Sequence, residues 1–73
     1  MTNELNMYER IGAIARANWN CRWTFADLAE ELNLNSPWHA GQQIKRAWDY
    51  FARRGETYTC SAISRVFWSK DRC

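Results

Sequence analysis

The chain has 73 residues, a hydrophobic content of 47% and a formal net charge of +2. This length fits a single domain spanning residues 1–73 and leaves too little chain for a large enzymatic cleft. The hydrophobic content argues against disorder, and no apolar run approaches the roughly 18 residues that a membrane-spanning helix needs. Because Met1-Thr2-Asn3-Glu4 also lacks the basic and apolar regions of a secretory signal, we expect a cytoplasmic protein.

Charge is distributed unevenly along the chain. Up to Glu31, three basic and five acidic residues give a balance of −2, whereas from Lys45 onward seven basic and three acidic residues give +4. A basic C-terminal half suits nucleic acid or an acidic protein patch, although ordinary solvated charge accounts for the same numbers.

Residues that could bind metal or form disulfides are few. Cys21, Cys60 and Cys73 form no Cys-x-x-Cys motif, and His39 is the single histidine. This composition predicts free thiols in a reducing cytoplasm and neither a zinc site nor any other cofactor.

The first element predicted is a helix that is capped by Thr2 or Asn3 and ends near Ala17. Its apolar residues recur at steps of three and four, namely Leu5, Tyr8, Ile11, Ile14 and Ala15. Gly12 inside this pattern indicates the close approach of another helix.

A second helix has start and stop signals at its ends. Thr24 stands three residues before Asp27, the spacing at which the Thr hydroxyl accepts an orphan backbone N–H. Asn33 stands where the chain must turn left-handed, and Leu34 follows as an apolar plug. The apolar face between these signals consists of Phe25, Leu28, Ala29 and Leu32.

A third helix is predicted from Pro37 to Arg53, about 25 Å long. Ser36 is a suitable N-cap, and the missing N–H of Pro37 costs nothing at the first helical position. Gly55 is a suitable residue for the turn that ends this helix. The predicted buried stripe consists of Ala40, Gly41, Ile44, Ala47, Trp48 and Phe51.

The remaining segments allow a short two-stranded β ribbon and a fourth helix. Residues 21–23 and 56–58 are strand candidates, and their pairing would resemble the ribbon of small winged-helix domains. Ala62, Ile63, Val66 and Phe67 keep helical spacing, which predicts a helix from Cys60 to about Trp68 with Thr59 as its cap. Because residues 66–68 also favour β structure, a strand is the alternative there.

The fold expected is therefore mainly α, with four helices and this ribbon. The order from Thr24 to the Ser36-Pro37 restart resembles the first helix and turn of bacterial helix-turn-helix regulators. The resemblance covers about a third of the chain and implies a helix-turn-helix or winged-helix-like domain. The alternative is an ordinary helical hairpin with good caps. The chain departs from the regulators at Pro37-Trp38-His39, which is bulkier than usual.

No catalytic constellation is visible. Ser61 and Ser64 have no histidine near them in sequence, and Glu30-Glu31 are typical solvent-facing charges. We therefore do not expect an enzyme.

The solvent face of the third helix is the first candidate site. In a DNA-reading helix-turn-helix the early residues of this helix enter the major groove, where Gln pairs with adenine and Arg with guanine or phosphate. The residues left outside the apolar stripe are Trp38, His39, Gln42, Gln43, Lys45, Arg46 and Asp49.

The five tryptophans give a second signal. Trp23 and Trp48 are assigned to the core. Trp38 lies off the main stripe and Trp68 lies near the C-terminus, and an exposed Trp near Arg is typical of protein-binding hot spots. The alternative is that these two rings cover the ends of the core.

In size and organisation the chain resembles small phage transcription regulators. That resemblance implies binding to host bacterial RNA polymerase, inhibition of promoter initiation and read-through of terminators. We expect a monomer that binds polymerase through a surface containing Trp38, His39, Gln42, Arg46, Arg53, Arg54 and Trp68. The alternatives are a sequence-specific DNA-binding repressor or excisionase-like protein, and a decoy that blocks another host machine.

Overall fold

The structure, a computed structural model, describes residues 4–19 and 21–68. Within these ranges it is mainly helical, with α1 at Glu4–Ala17, α2 at Phe25–Glu31, α3 at Pro37–Arg53 and α4 at Thr57–Ile63. A π-helical segment at Ser64–Trp68 continues α4. The described residues contain no β-strand.

The predicted start of α2 and the predicted start of α3 are confirmed by hydrogen bonds. At α2 the Asp27 N–H donates to Thr24 Oγ1 and the Thr24 N–H donates to Asp27 Oδ2, both at 3.0 Å. At α3 the His39 N–H donates to Ser36 Oγ at 3.3 Å, and Pro37 is the first helical residue. These caps satisfy backbone donors that no intrahelical carbonyl can reach.

The ends of α2 and α3 share one turn geometry. Asn33 has a φ of 58° and Gly55 a φ of 75°, so both occupy the left-handed region. The N–H of the next residue reaches back over the turn, from Leu34 to Ala29 O at 2.7 Å and from Glu56 to Phe51 O at 3.0 Å. This is the Schellman arrangement, which satisfies the last carbonyls of a helix.

The predicted β ribbon is wrong. The Schellman turn at Gly55 places Glu56 directly at the N-cap of α4, so Thr57 and Tyr58 are already helical. On the other side, the Trp23 N–H donates to Val66 O at 2.9 Å and therefore needs no strand partner.

The fourth helix exists but begins three residues earlier than predicted, and the strand alternative for residues 66–68 is wrong. Thr59 is not its cap. Thr59 is buried inside α4, where its hydroxyl accepts a hydrogen bond from Arg16 Nη1 at 3.0 Å. That bond connects α1 to α4.

The core lies where α1, α3 and α4 converge, with α2 packed on α3. Its largest fully buried side chains are Ile11, Leu28, Ile44, Phe51, Ile63, Val66 and Phe67. Two residues of α3 depart from the prediction: Trp48 is 38% exposed, whereas Gln43 is only 8% exposed. Trp48 is therefore wrongly assigned to the core, and Gln43 is wrongly assigned to the solvent face.

Candidate interaction surfaces

Trp38 is the most exposed large hydrophobic residue among the described residues, with 68% of its surface accessible. It occupies the second position of α3, directly after Pro37, in a turn that the Ser36 cap holds in place. Its ring meets the imidazole of His39 edge to face at 5.9 Å. The indole therefore projects from a fixed helix start, and His39 beside it is half-buried.

A shallow groove of about 490 Å³ lies along α3, and Tyr8 of α1 is one of its lining residues. It brings together three of the predicted site residues, Gln42, Arg46 and Arg53. Its other lining residues on α3 are Lys45, Asp49 and Tyr50. With three cations and one carboxylate on this lining, the α3 groove suits an anionic surface.

Arg53 and Arg54 have different roles although they are neighbours. Arg53 lies in the groove and pairs through Nε with Asp49 Oδ2 at 2.8 Å, in an exposed i, i+4 bridge that contributes little stability. Arg54 instead binds Glu9 Oε2 through Nη1 at 2.9 Å and Glu56 Oε2 through Nε at 3.2 Å. Arg53 is thus the better candidate for contact with a partner.

Tyr50 completes a polar cluster with Glu9, Arg54 and Glu56, which we call the α1–α3 clasp. Its hydroxyl donates to Glu9 Oε2 at 2.9 Å and accepts from Arg54 Nη1, whose guanidinium also lies over the tyrosine ring. The hydrogen bond to Glu9 is the main reason why the pKa of Tyr50 is raised above its usual value. Arg54 therefore joins helices within the molecule.

A further aromatic surface, which the sequence did not predict, lies on α4 and its π-helical continuation. Trp19 stacks on Tyr58 with ring centroids 5.1 Å apart and planes inclined by 1°, and Arg65 Cζ lies 5.4 Å from the Trp19 ring centre. Beside Arg65, a shallow depression of about 420 Å³ is lined by Trp48, Cys60, Ser61 and Ser64. We call this surface the α4 platform; it consists of Trp19, Trp48, Tyr58, Ser61, Ser64 and Arg65.

Trp68 ends the π-helical segment and is 41% exposed. It is not among the residues that line the α3 groove, and no ring contact joins it to Trp38. The predicted set therefore divides into a group along α3, the internally paired Arg54, and Trp68 near the end of the described chain. The spacing of Tyr58, Ser61 and Arg65 at i, i+3 and i+7 places them on one helical face, but no signal in the sequence placed Trp19 and Trp48 beside them.

Cys60 lies at the base of the platform depression. Its thiol donates to Trp48 O at 3.4 Å, and burial, with a smaller contribution from Glu56, raises its pKa. Cys60 is a free thiol. A thiol with a raised pKa is a poor nucleophile at neutral pH. We therefore interpret Cys60 as a residue that contributes to packing.

Across the residues that the structure describes, no group of three or more His, Cys, Asp or Glu side chains could hold a metal ion. None of the described helices is long and apolar enough to span a bilayer. Comparison with known proteins gave no relative: no protein-family model, curated protein or solved structure matches the chain.

Proposed function

We propose that this domain is a helix-turn-helix transcription regulator of the phage type. It binds host bacterial RNA polymerase in the cytoplasm, inhibits initiation at promoters and lets elongation pass terminators. The observation that carries the proposal is Trp38, an indole 68% exposed at the capped start of α3 and followed along the helix by a basic groove.

The helix-turn-helix assignment rests on local geometry. α2 has a capping box, its Schellman turn passes through Asn33 in the left-handed region, and α3 restarts at the Ser36 cap. Such a motif presents the first turns of its second helix to a partner. In this chain those turns carry Trp38 and Gln42.

The start of α3 is better suited to binding a protein than to entering a DNA groove. Trp and Arg are the residue types most enriched in binding hot spots, since a rigid indole buries a large area at small entropic cost. Two exposed carboxylates of α2, Glu30 and Glu31, and Asp49 on α3 would repel phosphates wherever they faced a duplex. An acidic patch on the polymerase would complement Lys45 and Arg53.

The test is a titration of purified polymerase core with fluorescently labelled protein in the absence of DNA. Trp38→Ala should weaken binding by about 2 kcal/mol, roughly thirtyfold, because it removes the anchor while the helix remains. Tyr58→Ala is the matched control, since Tyr58 is an exposed aromatic on a different helix, 59% accessible.

In the same titration, a charge reversal distinguishes electrostatic steering of association from the anchoring contact of Trp38. Arg53→Glu should mainly lower the association rate and its salt dependence. Absence of binding by the parent protein at micromolar polymerase would end the polymerase proposal. Binding that Trp38→Ala leaves unchanged would keep the partner but remove Trp38 from the site.

The second candidate is a DNA-binding repressor or excisionase-like protein, and the α3 groove favours it because Gln42, Lys45 and Arg46 lie together there. Five phosphate contacts would give a slope of log affinity against log salt of about −4.5. Tight, sequence-selected duplex binding that is lost in Gln42→Ala would favour this candidate over polymerase.

A further inference from the structure

The α4 platform is a pre-arranged stack rather than a set of separate surface rings. Tyr58 and Arg65 are seven residues apart, a helical rise of about 10 Å. The Trp19 ring contacts both side chains, since its centre lies 5.1 Å from the Tyr58 ring and 5.4 Å from Arg65 Cζ. Tyr58 and Arg65 are thereby held at a fixed spacing, which lowers the entropic cost of binding a ligand there.

The platform also offers open faces for stacking. Tyr58 is 59% exposed although one side of its ring lies on Trp19. The neighbouring depression is lined by an aromatic residue, Trp48, a cation, Arg65, and two hydroxyl-bearing residues, Ser61 and Ser64. Planar groups and small polar donors in one depression suit a flat heteroaromatic ligand.

Charge on this side of the molecule favours an anion. Arg65 contacts Trp19 and has no ion pair with a described carboxylate, and Arg16 is exposed and bound to Thr59, next to Tyr58. Glu9 and Glu56 line the depression beside Tyr58, and both carboxylates are paired with Arg54, at 2.9 and 3.2 Å. A ligand with stacked planar rings and negative charges would complement this combination.

We propose that the α4 platform binds unpaired bases of a single-stranded nucleic acid, with Tyr58 and Trp48 stacking bases and Arg65 contacting a phosphate. This activity is independent of the polymerase contact through Trp38.

Binding is measured with a labelled oligothymidylate of about 12 nucleotides, a length within the usual range of single-strand sites. The expected dissociation constant lies between about 1 and 100 micromolar, with a log–log salt slope near −0.7 for the single phosphate contact of Arg65. Tryptophan fluorescence should be partly quenched, since a base stacks on the Trp48 indole. The same strand without bases should bind at least about tenfold more weakly, as should the duplex form.

Point variants then locate the site. Tyr58→Ala should weaken oligonucleotide binding about tenfold, Tyr58→Phe should retain it because the ring still stacks, and Arg65→Glu should abolish it. Arg10→Glu, a charge reversal at an exposed arginine of α1 outside both surfaces, is the matched control and should leave oligonucleotide binding unchanged. Circular dichroism melting of each variant establishes that the fold is intact.

Three results would overturn the proposal. The first is no detectable binding by the parent at about 0.05 M salt, where electrostatic binding is strong. The second is equal binding of the abasic and normal strands, which would leave charge alone as the cause. The third is oligonucleotide binding that depends on Arg53 or Trp38 instead of Tyr58, which would place the strand on α3.

Discussion

At the scale of single residues, Gly12 determines how closely α1 can approach α3 and α4. A Cβ atom added at Gly12 would lie 2.6 Å from Phe51 Cζ and 3.1 Å from Thr59 Cγ2. Phe51 is fully buried and cannot swing aside, so the position has no room for a methyl group. The sequence predicted that another helix approaches α1 closely at Gly12, and the residues that do so are Phe51 and Thr59.

Gly12→Ala should therefore lower stability although Ala is the better helix former. Overpacking costs about 1–3 kcal/mol, against a gain of up to about 1 kcal/mol in helix propensity. The measurement is the midpoint of thermal unfolding, with Ala13→Gly at the exposed neighbouring site as the control for propensity alone. A higher midpoint for Gly12→Ala would contradict the packing described.

The exposure of Trp48 and the burial of Gln43 could not be read from the sequence. At 100° per residue, both lie roughly 70° from the centre of the stripe formed by Ala40, Ile44, Ala47 and Phe51, on opposite sides. Such border positions are covered or exposed according to where α1 and α4 pack, which the pattern of α3 alone does not contain. Because Trp is more hydrophobic than Gln, Trp48 was assigned to the core and Gln43 to the solvent face, and both assignments were wrong.

At the scale of elements, the ends of α2 and α3 could be predicted from the sequence. Thr24, Asn33, Ser36 and Gly55 act through neighbours a few residues away, so their local chemistry fixes the ends of α2 and both ends of α3. The β ribbon failed because its pairing depended on distant backbone groups. The Trp23 N–H is satisfied by Val66 O across the fold, which no local pattern encodes.

The α1–α3 clasp should make stability dependent on alkaline pH. The pKa of Tyr50 is raised above 10.0, chiefly because the neutral phenol donates to Glu9. The folded state thus favours the protonated form, and this stabilisation is complete below pH 10.0 and lost as pH rises through the folded pKa.

Urea unfolding of the parent and of Tyr50→Phe as a function of pH tests this expectation. The parent should have the larger free energy of unfolding at neutral pH, and the difference should shrink as the pH passes about 10. A difference that stays constant across this range would show that the hydroxyl does not act through Glu9.

At the scale of the whole molecule, a small helical domain presents two separate surfaces. Trp38 stands at the start of α3, and Trp48, on the edge of the α4 platform, is ten residues further along, about 15 Å by helical rise. The surface around Trp38 was predictable, because a Trp that directly follows a Ser-Pro cap lies off the buried stripe of its helix. The second was not, since the Trp19–Tyr58 stack depends on how α1 packs against α4.

The most direct test of the proposed regulator is transcription in vitro from a template carrying one promoter and one downstream terminator. Adding the protein at saturating concentration should reduce the number of transcripts initiated and raise the fraction that extends past the terminator. Trp38→Ala should need roughly thirtyfold more protein for both effects. Unchanged initiation and unchanged termination at saturating protein would contradict the account.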